Sequence, residues 1–217
     1  YPTTLTPVDD LSVFNGTAPQ GTWTLTVSDS YPGSDDGVLN SWSVDVVCGD
    51  APPVVAGIFI SEYVEGTSNN KALEIYNPTD AGEDCTLTID RNGPTSSPPS
   101  IIGSFSIESG ATYVFCHSSG VASSGGVIPD EVCDMVTGSL SHNGNDSYIL
   151  TCGGPIVVDV FGNPTIDPGS GGWDVNGVGT KDQTLRRKCE VVSGDPVGDD
   201  VFDPSVEWIS YDANTVD

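Results

Sequence analysis

Apolar and polar residues alternate along much of this chain. Over residues 21–27, Trp23, Leu25 and Val27 fall on one side and Thr22, Thr24 and Thr26 on the other. A period of two is that of a half-buried strand. Residues 41–46 repeat it, with Trp42, Val44 and Val46 expected to face inward. Between them, residues 28–37 read as an acidic, turn-rich loop. Further on, the pattern predicts strands over 58–64, 72–76, 86–90, 112–116, 147–152 and 156–161. Asn-Gly or Asp-Gly steps at 15–16, 36–37, 92–93, 143–144 and 176–177 supply residues that accept positive φ, as tight hairpins require. No stretch keeps a helical period for three turns. Residues 131–135 fit one short helical turn, and the chain from Asp195 onward reads as irregular structure pinned by Phe202 and Trp208.

Composition points the same way. The 217 residues include 26 Gly and 16 Pro. Val, Ile and Thr are abundant and Ala and Lys scarce, which favours pleated surfaces over helices. The expected class is all-β. The paired prolines Pro52 and Pro53 hold the chain extended and mark a stiff linker. The expected organisation is a first module over 1–50, a linker over 51–54 and a second module over 55–217.

Charge and cysteines then restrict partners and compartment. Six basic residues against 31 acidic ones leave a formal net charge of −25. Nucleic-acid binders neutralise phosphates with clustered Lys and Arg, so nucleic acid is disfavoured as a partner, as is anionic lipid. No apolar run is long enough to span a bilayer, so membrane insertion is not expected. The six cysteines are Cys48, Cys85, Cys116, Cys133, Cys152 and Cys189, with no C-x-x-C pair. That argues for disulfides rather than a metal ribbon. The preferred pair is Cys116–Cys133, which would clip the Gly/Ser-rich loop between them; the pairing of the other four is open. A chain that begins at Tyr1 rather than Met fits a processed or trimmed piece of a secreted protein, so an extracellular or cell-surface location is expected.

Two stretches carry family resemblances. Gly21-Thr22-Trp23-Thr24-Leu25 and Leu39-Asn40-Ser41-Trp42, with Leu11-Ser12-Val13-Phe14 before them, resemble the C-terminal part of a P domain. That module follows the catalytic domain in proprotein convertases and in many secreted subtilisin-like proteases. The resemblance implies a partial β jelly roll whose N-terminal strands have no counterpart here. Ile60-Ser61-Glu62-Tyr63-Val64-Glu65-Gly66 and Lys71-Ala72-Leu73-Glu74-Ile75-Tyr76-Asn77 are similar to a lamin tail domain of bacterial secreted and surface proteins. So are Ser141-His142-Asn143-Gly144-Asn145-Asp146, Thr184-Leu185-Arg186-Arg187-Lys188 and Phe202-Asp203-Pro204-Ser205 followed by Glu207-Trp208. This second resemblance implies an immunoglobulin-like β-sandwich. The family is not known for catalysis, although in bacteria its members often accompany a separate secreted nuclease or phosphatase domain.

About 48 residues of jelly roll bury too little apolar surface to stand alone. The missing strands lie either upstream in a longer chain or in a neighbouring molecule that adds a strand. Trp23, Leu25, Val27, Trp42, Val44 and Val46 then form the face to be completed. Head-to-tail completion does not close on itself and builds a filament.

Candidate chemistry is sparse. Asp29, Asp35 and Asp36 supply oxygens of the kind Ca²⁺ takes, against the simpler reading of a solvated turn. Asp195, Asp199, Asp200 and Asp203 form a second acidic cluster of the same kind. Glu62 and Lys71 are expected to pair across the 66–70 hairpin, close to Glu74. Arg186, Arg187 and Lys188 suit an anion contact, with internal neutralisation of nearby acids the simpler reading. His117 and His142 are too few for a zinc hydrolase, no G-x-S-x-G elbow occurs, and Asp146 and Asp159 have no recognisable acid–base partner. No enzymatic activity is expected. Asn15 and Asn145 begin N-x-S/T sequons. No cofactor is required, with Ca²⁺ the one candidate. The expected role is that of a non-catalytic extracellular structural or interaction protein. Its partners are other copies of itself, as the repeating subunit of a surface filament, or the rest of a longer secreted chain. The alternative is an accessory region that targets or stabilises a secreted protease or nuclease.

Overall fold

The computed structural model describes residues 24–26, 33, 56–91, 93 and 98–216. The chain divides between Pro53 and Val54, and all but four of the described residues lie in the second unit. In the first unit, Thr24, Leu25 and Thr26 belong to no strand, and Leu25 is 45% exposed. The other residues of the face expected to hold Leu25 lie outside the described residues.

The second unit is an all-β sandwich. Its strands are β1 (Phe59–Glu65), β2 (Lys71–Tyr76), β3 (Glu83–Asp90), β4 (Ser100–Ile107), β5 (Thr112–His117), β6 (Met135–Thr137), β7 (Ser147–Cys152), β8 (Ile156–Phe161), β9 (Asp174–Val175), β10 (Val178–Gly179), β11 (Gln183–Arg187) and β12 (Trp208–Asp212). One layer has the order β12-β11-β1-β2-β5-β6 and the other β4-β3-β7-β8. Every pairing is antiparallel except that of β5 with β6. β9 and β10 form a small hairpin through Asn176 and Gly177, whose φ angles are 54° and 82°. Both central residues of such a two-residue turn need positive φ, so the Asn-Gly step explains the hairpin.

The alternation in the sequence places the core. Cys85, Leu87 and Ile89 of β3 are buried together, as are Leu73 and Ile75 of β2. They meet Phe105, Phe115, Leu150 and Phe161 between the layers. Besides a bulge in β8, where Leu150 and Thr151 of β7 oppose Asp159 and Val157, two others interrupt the alternation. One lies between Ile60 and Glu62 in β1, so that Ile60 and Tyr63, three residues apart, both point inward. The other falls where β4 opposes Leu87 and Thr88, and there Ile102 and Phe105 are both buried. Neighbouring residues of a strand face opposite sides, so Val64 and Ala72 lie on the outer face of the larger layer. They form a second, smaller core with Cys116 of β5 and with Val121 and Ile128 of the loop that follows it.

Two disulfides close the unit. Cys116 joins Cys133, the pair preferred from the sequence, and Cys85 joins Cys152, directly opposite it across β3 and β7. Their sequence separations of 17 and 67 correspond to about 3 and about 4 kcal/mol of lost chain freedom in the unfolded state. Cys189 is a free, exposed thiol. Cys48 lies outside the described residues.

Several expectations are corrected. The helical turn expected over 131–135 is a 3-10 turn over Asp130–Val132, after which β6 begins. The chain beyond Asp195 is not wholly irregular: it forms α1 (Pro204–Glu207) and then β12. Asp203 caps α1 by accepting a hydrogen bond from the Ser205 amide, and Pro204 occupies a first-turn position where no donor is needed. Phe202 and Trp208 do anchor this region, both packing edge-on against Phe161. β4 and β11 appear in no sequence-based expectation.

Candidate functional site

The charged groups of the sandwich are the first place to look for chemistry. Arg187 in β11 and Asp159 in β8 form a fully buried pair between the two layers, with Nη2 donating to both carboxylate oxygens at 2.8 Å. Asp159 also accepts the backbone N–H groups of Ile60 at 2.8 Å and Asp195 at 2.9 Å. Arg187 donates to the Ile60 carbonyl and to Glu207, and its guanidinium lies 4.4 Å from the centre of the Trp208 ring. Burial nonetheless pushes the Asp159 carboxyl above its usual range against the pull of Arg187, and does the same to Glu207. Both Asp159 oxygens are thus bonded within the chain itself, which makes this a clasp between layers.

The expected pairing of Glu62 with Lys71 is not found. The turn over residues 66–70 sets the register so that Glu65 stands opposite Lys71 and Glu62 opposite Glu74. Lys71 therefore binds Glu65 at 2.6 Å, with both side chains almost wholly buried. The other Glu65 oxygen accepts the Asp182 amide. Glu62 takes Arg186 at 3.0 Å, and Glu74 accepts the Ser61 hydroxyl at 2.6 Å.

The three consecutive basic residues are used internally, as the simpler sequence reading holds. Arg186 pairs with Glu62 and stacks on Tyr211, Arg187 forms the clasp, and Lys188 donates to the carbonyls of Ser205 and Val206 at 3.0 and 2.8 Å.

His142 is fully buried and bonded at both nitrogens. Nε2 lies 2.8 Å from the Val64 carbonyl, which can only accept, so Nε2 carries the proton. Nδ1 then accepts the Tyr148 hydroxyl at 2.6 Å. Burial, helped by the Lys71 charge, pushes the His142 pKa down to about 3. His117 accepts the Ser119 amide through Nδ1, and burial and Lys71 lower its pKa too.

Other sequence candidates are dispersed. Among the described residues, no three His, Cys, Asp or Glu side chains come together as metal ligands. The cluster of Asp195, Asp199, Asp200 and Asp203 is not assembled: Asp195 caps the Val197 amide, the Asp200 carbonyl accepts from Asn163, and Asp203 caps α1. Short acidic side chains satisfy their own backbone before they converge on an ion. Asn145 is half-buried in the turn before β7, while Asp146 and Ser147 beside it are buried. Asn15, Trp23, Val27, Asp29, Asp35, Asp36, Trp42, Val44 and Val46 lie outside the described residues.

The sheet edges were not anticipated from the sequence. β6 is only three residues long. β8 is covered in part by the segment that follows β11, where the Val160 amide donates to the Asp195 carbonyl at 2.7 Å. β12 ends in Asp212 and lies beside β10, with the Ser210 hydroxyl bonded to the Gly177 carbonyl. β4 differs from all three: it is eight residues long, has no charged side chain and bonds through its backbone to β3 alone among the described strands. Comparison with known protein families, with curated proteins and with solved structures found no match.

Proposed function

We propose that this chain is a non-catalytic extracellular structural protein, the repeating subunit of a surface filament. In this reading its first module is a partial P-domain-like jelly roll completed by a neighbouring chain, and its second a sandwich of lamin-tail type. One observation carries the reading: the buried ionisable groups Asp159, Arg187, Glu65, Lys71 and His142 are all bonded within the chain and serve to hold strands and layers together. Two intrachain disulfides support an oxidising compartment. The net charge of −25 supports contacts made through backbone pairing and apolar faces, because like-charged surfaces repel. Ca²⁺ held by Asp29, Asp35 and Asp36 belongs to the same proposal.

Electron microscopy of the purified full chain tests it. Filaments are expected, and Trp42→Ala is expected to prevent them without unfolding the second unit. A wild-type chain that stays monomeric at every concentration would overturn the reading. If the gene instead encodes a protease or nuclease domain on the same polypeptide, the accessory-region alternative takes its place.

A further inference from the structure

We infer that β4 is a second assembly contact, an open sheet edge that pairs antiparallel with β4 of another copy of this chain. The inference rests on the filament reading and adds to it a site in the second unit.

An exposed strand edge is a row of unpaired donors and acceptors, and proteins that must stay apart blunt such edges with charges, prolines, short strands or covering segments. The other three edges of this sandwich carry those devices: β6 is short, β8 is partly covered, and β12 is short and acidic at its end. β4 has the sequence Ser-Ile-Ile-Gly-Ser-Phe-Ser-Ile, with neither charge nor proline. Its one irregularity, the bulge near Ile102, leaves Gly103–Ile107 as a regular five-residue ladder against β3.

That ladder is held firmly. Phe105 and Ile107 point into the core, and Phe105 packs on Tyr113 and Phe115 at ring distances of 4.4 and 5.2 Å. A side chain at Gly103 would come within 2.6 Å of the Met135 sulfur, so the layers approach closely there because Gly103 has none. A strand template that is already ordered loses little freedom when it gains a partner.

The occupant follows from charge. In a molecule of −25, a second copy can approach only where no acids meet. The outward side chains of β4 are Ile101, 66% exposed, and the hydroxyls of Ser104 and Ser106. Two such strands set antiparallel about Phe105 bring serine against serine and no charge against charge. The result joins two four-stranded layers into one continuous sheet. Neighbours already linked through their first modules would meet at a raised effective concentration, so a weak edge contact suffices. Glu83, Asp84 and Glu108 lie at one end of the edge, and the antiparallel setting keeps those of the two copies at opposite ends, so what salt screens is the general repulsion between two molecules of −25, and the contact strengthens as it does.

The test uses the full chain. Amide exchange over residues 100–107 is expected to slow as protein concentration rises, and to slow more at 0.15 M than at 0.01 M salt, where the screening length falls from about 30 to about 8 Å. Ser104→Lys sets each lysine opposite Ser106 of the other copy and diagonal to the other lysine, two like charges on one face of the pair, and should weaken association by at least about tenfold in sedimentation velocity. Ser104→Thr, which suits a strand, should leave it unchanged. Exchange over 100–107 that does not respond to concentration, or a Ser104→Lys chain that associates like wild type, overturns the inference. Filaments that persist in that case leave the filament reading standing, whereas a chain that shows no association of any kind removes both.

Discussion

At the scale of single residues, His142 has the clearest solution consequence. Unfolded, it takes up a proton near its ordinary pKa of 6.5; folded, it does so only near about 3. The unfolded chain therefore binds more protons across that window, and stability falls as pH drops from 6.5 toward 3. The full effect is on the order of 5 kcal/mol. Asp159 runs the opposite way: its raised carboxyl is protonated more readily in the folded chain, so its contribution is greatest at low pH and is lost as pH rises through the folded value. Urea titrations at a series of pH values should show the histidine slope in the wild type and a flatter one in His142→Gln, which can still donate to the Val64 carbonyl. Identical slopes would assign the acid sensitivity elsewhere. None of this was legible in the sequence, where His142 was one of two scattered histidines. Burial of a polar residue leaves no periodic trace, because it depends on a carbonyl and a tyrosine that arrive from other strands.

At the scale of elements, legibility follows alternation. β2 and β7 were readable because their inward residues recur at every second position, and β8 because it is an apolar, β-branched run despite a bulge at Val158. β4 was not, since its bulge sets Ile102 and Phe105 both inward and breaks the period. β11, Gln-Thr-Leu-Arg-Arg, looked like surface, because nothing in it foretells that Arg187 will be buried against Asp159. The pairing of Lys71 was misplaced because the 66–70 turn brings Glu65, not Glu62, opposite it, a register that alternation alone does not set. The loop after β5 was readable in part: its clip between Cys116 and Cys133 was expected, but not that Val121 and Ile128 roof an outer core on Val64 and Ala72. Removing the clip therefore reaches beyond the loop. Cys116→Ser with Cys133→Ser should lower stability by about 3 kcal/mol in denaturant unfolding. It should also speed amide exchange over 118–132 before the rest of the sandwich opens. Uniform exchange across the unit would mean that the loop and the sandwich open as one.

At the scale of the whole molecule, the charge imbalance is sharper than the count of −25 conveys. Each of the six basic side chains is engaged within the chain: Lys71, Arg186 and Arg187 with carboxylates, and Arg91, Lys181 and Lys188 with carbonyls. The solvent-facing charge is left almost wholly acidic, and such a surface repels itself. Sodium chloride should raise the thermal midpoint of the full chain by screening that repulsion. A midpoint that falls with salt would place the internal ion pairs above surface repulsion as the dominant electrostatic effect.

The placement of the covalent bonds has a mechanical consequence. Cys85–Cys152 ties two strands of the same layer, and Cys116–Cys133 ties the other layer to its own loop. Neither bond crosses from one layer to the other. What crosses is the apolar core, the Asp159–Arg187 clasp, and the line from Tyr148 through His142 to the Val64 carbonyl. Under tension the two layers can part along that seam without breaking a covalent bond, each keeping its cross-links, and close again when the load is released.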